Sequence, residues 1–177
     1  SSNLLIKHSN NFIINKKYDE LKKFFNCRNS TDSLAEFFYI MANLYSMERD
    51  YKLSNFFLKI LFFLNNKFLS NQTLLAENFF LQKRYKESIN IFKSIKSIGS
   101  YYSWHAAKNI ASILSKNKDK EAAISILKRE FDSFKNPNFV QYYELANFYK
   151  DNEFFEESVK YYSLSLEKIE KDHQLIP

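Results

Sequence analysis

The sequence predicts an all-α protein built from repeated helix–turn–helix units, and three observations support this fold class. The chain has one Gly and two Pro in 177 residues, too few for the turns that a β-sandwich needs every ~8–12 residues. Apolar residues recur at helical spacing. Small residues also recur about every 34 positions, at Ser9, Ala42, Ala76, Ala111 and Ala146.

Three further series keep the same register, which is hard to obtain by chance. Twelve residues after each small position lies a second, mostly small series: Leu21, Ser54, Ser88, Ala123 and Ser158. Four residues later lies a large apolar series: Phe25, Leu58, Phe92, Leu127 and Tyr162. A bulky series precedes a polar turn: Phe12, Tyr45, Phe79, Leu114 and Tyr149. We expect the small residues to let paired helices approach closely, while the large ones fill the core.

Each unit divides into two helices. In the second unit, apolar periodicity predicts helices over residues 38–45 and 51–61, separated by a polar break at 47–50. In the last unit it predicts a final helix over 154–172. The segment 136–138 contains Pro137 between two Asn and predicts a break between units, since Pro is tolerated at the start of a helix but not inside it.

These positions resemble the tetratricopeptide repeat (TPR) family, whose pattern is W-x₂-L-G-x₂-Y…A-x₃-F…P. The last unit carries the resemblance through Tyr142, Leu145, Ala146, Tyr149, Ser158 and Tyr162. The family's Gly is replaced by Ala or Ser in every unit, the Trp at its first-helix position is absent from every unit, and its closing Pro is missing or displaced. The resemblance implies a right-handed α-α superhelix, a solenoid of about five degenerate units, whose first helices line a concave groove.

We therefore expect one solenoid domain over residues 1–177, with units at about 2–33, 34–68, 69–102, 103–137 and 138–172. The chain begins without Met and ends in an apolar tail, which favours a fragment of a longer protein. Its longest apolar stretch, residues 53–64, is shorter than the ~20 residues that span a membrane. We expect a soluble protein, and the sequence leaves open whether it is cytoplasmic or periplasmic.

Composition argues against catalysis and against bound cofactors. With Gly99 as its only glycine, the chain cannot contain a dinucleotide- or phosphate-binding glycine loop. Its only cysteine, Cys27, resembles a half-buried hydrophobic residue more than a nucleophile. His8, His105 and His173 lie in different units, without acidic neighbours at ligand spacing. We expect no cofactor, no metal and no enzymatic activity.

The resemblance places a peptide-binding groove on the first helices. The groove residues it implies are Tyr39, Asn43, Thr73, Glu77, Lys108, Ser112, Tyr143, Asn147 and Lys150, with Ser46 and Phe80 one turn later. Polar groups from Tyr39, Asn43, Lys108, Tyr143 and Asn147 would capture a peptide or a helix of a protein partner. The basic clamp by which some TPR domains hold a C-terminal carboxylate is incomplete here, so we expect no such binding.

Charge supports one alternative, a helical-repeat module that binds RNA. The net charge is +6. Residues 61–120 hold 10 basic and 3 acidic side chains (+7), against 9 and 6 (+3) in residues 1–60 and 7 and 11 (−4) in residues 121–177. Codon bias of an AT-rich genome also explains an excess of Lys, and the groove positions show no visible base code. Nucleic acid is therefore the less favoured partner.

Two aromatic features remain open at this stage. The cluster at 101–105 (YYSWH) fits either a platform at the groove entrance or a helix start whose rings pack on the preceding unit, and we favour the latter. The second helix of unit two has an additional apolar face formed by Leu53, Phe56, Ile60 and Phe63. This face either packs beneath the first unit or forms a dimer contact.

Overall fold

The computed structural model describes residues 12–13, 16–17, 19 and 29–173, except the side chains of 170–173. This part of the chain contains α-helices, one short 3₁₀-helix at Lys96–Ile98 and no strand, which confirms the all-α fold class. The helices are α1 (Ser30–Met47), α2 (Tyr51–Leu64), α3 (Leu69–Leu81), α4 (Tyr85–Ile95), α5 (Ser100–Lys116), α6 (Lys120–Asp132), α7 (Phe139–Asp151) and α8 (Phe155–His173).

Consecutive helices pack as antiparallel pairs within two compact units of the chain, Ser1–Ala106 and Ala107–Pro177. In the first, α1 packs on α2, α3 packs on α4, and α2 also contacts α3. In the second, α7 packs on α8 and α6 contacts α7. The single solenoid over 1–177 stays a prediction.

The two small-residue series of the sequence meet inside the helix pairs. Ala42, Ala76, Ala111 and Ala146 are all fully buried. The Ser54 hydroxyl donates to the Ala42 carbonyl at 2.7 Å, and the Ser88 hydroxyl donates to the Ala76 carbonyl at 2.9 Å. These bonds require the two backbones to lie close, which a larger side chain at either position would prevent. The interpretation of both series as close-packing positions is confirmed in the described units.

Each described turn of the repeat places a non-glycine residue in the left-handed region. These residues are Lys16, Arg49, Lys83, Lys118 and Glu153, with φ from 55° to 71°. Each follows a small position of the repeat by seven residues. The same two bonds close every turn: Arg49 N–H donates to the Ser46 carbonyl at 3.1 Å, and Asp50 N–H donates to the Tyr45 carbonyl at 2.9 Å. They satisfy carbonyls that the end of a helix leaves unpaired.

Two predicted unit boundaries lie inside helices. Helix α1 begins at Ser30, not near 34, because Asn29 caps it by accepting from the Asp32 N–H at 2.7 Å. Helix α5 begins at Ser100, directly after Gly99. The break at 136–138 is confirmed, since Asn138 forms a capping box at the start of α7. Such caps are local contacts, which a 34-residue period does not encode.

Several sequence predictions concern residues outside the described part of the chain. These are the first-unit positions Ser9, Leu21 and Phe25, together with His8, Cys27 and the side chain of His173. No helix among the described residues is both long and apolar enough to cross a bilayer.

Candidate functional site

The predicted groove residues belong to both compact units, and each set is described within its own unit. In the first unit, the Asn43 side-chain Nδ2 donates to the Tyr39 carbonyl at 2.8 Å, and the Tyr39 ring lies 5.1 Å from the ring of Phe68. Thr73 departs from the expectation: it is 1% exposed, and its hydroxyl donates to the Ser70 carbonyl at 2.9 Å. A buried, bonded hydroxyl offers nothing to a ligand, so we exclude Thr73 from the site.

Ser46 likewise faces the interior of the helix pairs, not a ligand. Its hydroxyl donates to Asn78 Oδ1 at 2.6 Å. Asn78 is fully buried, and its Nδ2 donates to Ser54 Oγ and to Asn55 Oδ1, both at 2.8 Å. Every polar atom of the Asn78 amide is therefore bonded, as a buried amide requires. This network joins α1, α2 and α3, and the period alone did not reveal it.

The aromatic cluster at the start of α5 packs on the preceding helix pair, as favoured from the sequence. Tyr102 and Trp104 are 1% and 5% exposed. The His105 ring lies 5.8 Å from the ring of Phe92 on α4, edge to face, and its Nε2 lies 3.3 Å from Glu77 Oε1. The Glu77 carboxylate therefore lies within ion-pair distance of His105. Burial is the main cause that raises the pKa of Tyr102, to about 12.

In the second unit, Lys108 pairs with an acidic residue that the site prediction omitted. Lys108 Nζ lies 2.5 Å from Glu144 Oε1, and their side chains are 31% and 28% exposed. The pair connects α5 with α7 and leaves this part of the surface without net charge. Ser112 is half-buried one turn along α5. Lys150 is exposed and lies 3.8 Å from the carboxylate of Asp151.

Among the predicted groove residues, Asn147 is bonded to a neighbouring tyrosine. The Tyr162 hydroxyl donates to Asn147 Oδ1 at 2.5 Å. Because this bond occupies the carbonyl oxygen, it orients the amide and leaves Nδ2 as the group that can donate to a ligand. The Tyr143 ring lies 5.7 Å from the Tyr162 ring and is 52% exposed. Sequence reasoning assigned Tyr162 to the core and so missed its role in orienting Asn147.

The additional apolar face of α2 is only partly covered. Phe56 and Phe63 are 55% and 89% exposed, whereas Leu53 and Ile60 are half-buried. A dimer contact through this face stays a prediction. Among the described residues, no cluster of His, Cys, Asp or Glu could hold a metal ion.

Comparison with solved structures supports the same fold. The chain is similar to MamA, whose crystal structure shows a TPR-type helical repeat, with a TM-score of 0.57 at 16% sequence identity. The match covers 94% of this chain and 96% of that chain. No protein-family model and no curated protein matches the sequence. The fold is therefore a TPR-like helical repeat, and the proposed function depends on the site alone.

Proposed function

We propose that this chain is a non-catalytic scaffold that binds an extended peptide or a helix of a protein partner on its first helices, and that Asn147 and Tyr143 are its main contacts. The observation that carries the proposal is the bond from the Tyr162 hydroxyl to Asn147 Oδ1 at 2.5 Å. It holds the half-buried amide donor of Asn147 in one orientation before any ligand arrives. Such preorganisation lowers the entropy cost of binding.

The chemistry of this surface suits a peptide with little net charge. The Asn147 Nδ2 can donate to a backbone carbonyl, and the half-exposed Tyr143 ring offers an apolar face with a hydroxyl at its tip. Lys108 and Glu144 neutralise each other at 2.5 Å, so a free carboxylate at this place would compete with Glu144 for the ammonium. This pairing agrees with the expectation that no chain terminus is clamped here.

RNA binding is the alternative, and ion pairing weakens the charge argument for it. Two lysines of the basic segment 61–120 have acidic partners: Lys108 pairs with Glu144, and Lys120 pairs with Glu153. Affinity for phosphate comes from cations that release counterions on binding. A lysine already paired with a carboxylate contributes less to that affinity.

The proposal is tested by selecting peptides from a displayed random library on the intact chain. Three variants are then compared by the Kd of the selected peptides. Asn147→Asp keeps the oxygen that accepts from Tyr162 but removes the amide donor, Tyr143→Ala removes the ring, and Lys160→Ala alters an exposed residue of α8 as the control. We expect Asn147→Asp to weaken binding about 5–10-fold, the worth of one hydrogen bond of about 1 kcal/mol.

Tyr143→Ala should weaken binding at least as much, while Lys160→Ala leaves the Kd unchanged. Equal affinity of all four proteins would show that the selected peptides bind elsewhere and would overturn the proposal. Binding of a random 20-nucleotide RNA that falls steeply between 50 and 200 mM salt, together with no enriched peptide, would support the RNA alternative.

A further inference from the structure

Helix α8 presents a straight row of apolar side chains at its surface. Phe155, Val159 and Leu166 are 62%, 66% and 63% exposed, and the half-buried Tyr162 completes the row, which we call the α8 stripe. Because the intervals are four, three and four residues, all four lie on one face of the helix, over about 16 Å. Exposed apolar surface that is contiguous in this way marks an interaction site.

The α8 stripe continues onto α7 through Tyr162. The Tyr162 ring lies 5.7 Å from the ring of Tyr143, and the exposed Phe139 lies one turn before Tyr143 on the same face of α7. The Ser165 hydroxyl donates to the Phe139 carbonyl at 2.9 Å, so the next residue, Leu166, lies level with Phe139. Two rows of apolar side chains, one on each helix, therefore border a groove. A groove of this kind takes the apolar face of a third helix.

The two sides of this groove differ in charge. Beside α7, Lys108 and Glu144 neutralise each other. Beside the α8 stripe, Glu156 and Glu167 are exposed, and since eleven residues make about three helical turns, both lie along the same side of the stripe. A ligand helix is therefore favoured by two basic residues, about eleven positions apart, on the edge that it turns toward α8.

A second copy of the chain fits this charge pattern poorly. In a two-fold pair of antiparallel α8 helices centred on Tyr162, Glu156 lies six residues before the centre and Glu167 lies five residues after it. Each Glu156 would then face a Glu167 of the other copy. Like charges placed opposite each other at an interface are unfavourable, so the pattern favours a different chain that carries cations at these places.

We propose that the groove between α7 and α8 binds an amphipathic helix of a partner protein, with apolar residues at intervals of four, three and four and two Lys or Arg along one edge. This inference rests on the proposed scaffold function. It narrows the partner from an extended peptide or a helix to a helix, and it extends the contact surface from Asn147 and Tyr143 along the α8 stripe.

Fluorescence anisotropy of the intact chain with three designed peptides of about 18 residues tests the proposal. All three carry Leu at the stripe intervals; the first has Lys at two edge positions eleven apart, the second has Glu there, and the third is the first with Pro at its centre. We expect the lysine peptide to bind about tenfold more tightly than the glutamate peptide in about 50 mM salt. The proline peptide cannot form a continuous helix and should bind about tenfold more weakly as well. Equal affinity of the lysine peptide and either of the others, or no binding of the lysine peptide at about 1 mM, would overturn the proposal.

Two double variants assign the binding to its residues. Val159→Ser with Leu166→Ser should weaken the lysine peptide about tenfold, because both exposed side chains lose apolar contact, whereas the matched Leu81→Ser, at a 53% exposed leucine of α3, leaves the Kd unchanged. Glu156→Gln with Glu167→Gln should bring the affinities of the lysine and glutamate peptides together. An unchanged Kd in the α8 serine variant, or an unchanged preference in the glutamine variant, would contradict the proposal.

Asn147→Asp separates this proposal from the scaffold function on which it rests. Library-selected peptides that need Asn147 but are insensitive to the α8 serine variant would support the scaffold and overturn the helical groove. A lysine peptide that needs Val159 and Leu166 but not Asn147 would support the groove and contradict Asn147 as a main contact of the scaffold. A dimer in sedimentation velocity that the α8 serine variant abolishes would make a second copy the occupant and overturn the proposal.

Discussion

Helix α3 carries two buried asparagines, of which one has an unpaired side-chain oxygen and the other is fully hydrogen-bonded. The same substitution should therefore change the free energy of unfolding in opposite directions at the two positions. Asn71 is 2% exposed with an unpaired Oδ1, whereas Asn78 is fully buried and its side chain makes three hydrogen bonds to neighbouring side chains. Leucine has nearly the shape of asparagine but no polar atoms. We expect Asn71→Leu to raise the free energy of unfolding and Asn78→Leu to lower it.

The magnitudes follow from what each amide does in the folded chain. Asn78→Leu removes three bonds of about 1 kcal/mol each and strands the buried Asn55 Oδ1, a further cost of about 1–3 kcal/mol. Burying the leucine returns about 1.5–3 kcal/mol, which leaves a net loss of about 1–4.5 kcal/mol. Asn71→Leu removes an unsatisfied acceptor and should gain about 1–2 kcal/mol.

Urea unfolding followed by tryptophan fluorescence measures both effects. The single tryptophan of the chain, Trp104, is 5% exposed and belongs to the same compact unit as both asparagines. Comparing midpoints at an unchanged denaturant slope isolates stability from any change in the unfolded state. Destabilisation of more than 1 kcal/mol by Asn71→Leu would refute the inference that the Asn71 side-chain oxygen is unpaired in the folded chain. A loss of less than 1 kcal/mol in Asn78→Leu would refute the contribution of the Asn78 network.

Two further predictions concern a turn and a buried phenol. We expect Lys118→Gly to raise the free energy of unfolding, measured in urea, by up to about 1 kcal/mol. A φ of 66° costs an L-residue about 1–2 kcal/mol, and the greater backbone entropy that glycine loses on folding cancels only part of the gain from removing that strain. The matched Lys160→Gly inside α8 should instead lower the free energy of unfolding by about 1 kcal/mol, and equal effects of the two substitutions would contradict the left-handed turn at Lys118. The pKa of Tyr102 is about 12 in the folded chain and ~10 in the unfolded chain, so its contribution to stability is complete below pH 10. Between pH 10 and 12 the free energy of unfolding should decline by up to about 1.4 kcal/mol per pH unit. Tyr102→Phe should remove that decline, and a pH dependence of stability unchanged by this substitution would assign the decline to other groups.

The parts of the fold that the sequence predicted are those set by packing at a fixed period. Residues twelve apart, such as Ser54 and Ala42, meet through a hydrogen bond because a small side chain on each helix is what lets the two backbones approach. The buried large series, for example Leu127, follows from the same geometry. Such constraints act in every unit, so they leave a repeated signal in one sequence.

The parts that the sequence did not predict are specific to one unit. The pair of Lys108 with Glu144, 36 residues away, depends on side-chain reach and on the residues of one helix pair. The bond from Tyr162 to Asn147 uses a position that the period assigns to the core. The burial of Thr73 depends on its neighbours, since the equivalent Tyr143 is half-exposed. A period identifies equivalent positions, but it does not fix their surroundings.

The turns, like the helix contacts, are formed without glycine. Each turn residue in the left-handed region is charged and exposed, from Lys16 to Glu153, although glycine would adopt that conformation without strain. The two backbone bonds that close each turn offset a cost of about 1–2 kcal/mol per residue. The lack of glycine therefore excludes phosphate-binding loops but does not exclude left-handed turns. Those turns can be located by register alone, because each lies seven residues after the small position at which the family pattern has its glycine.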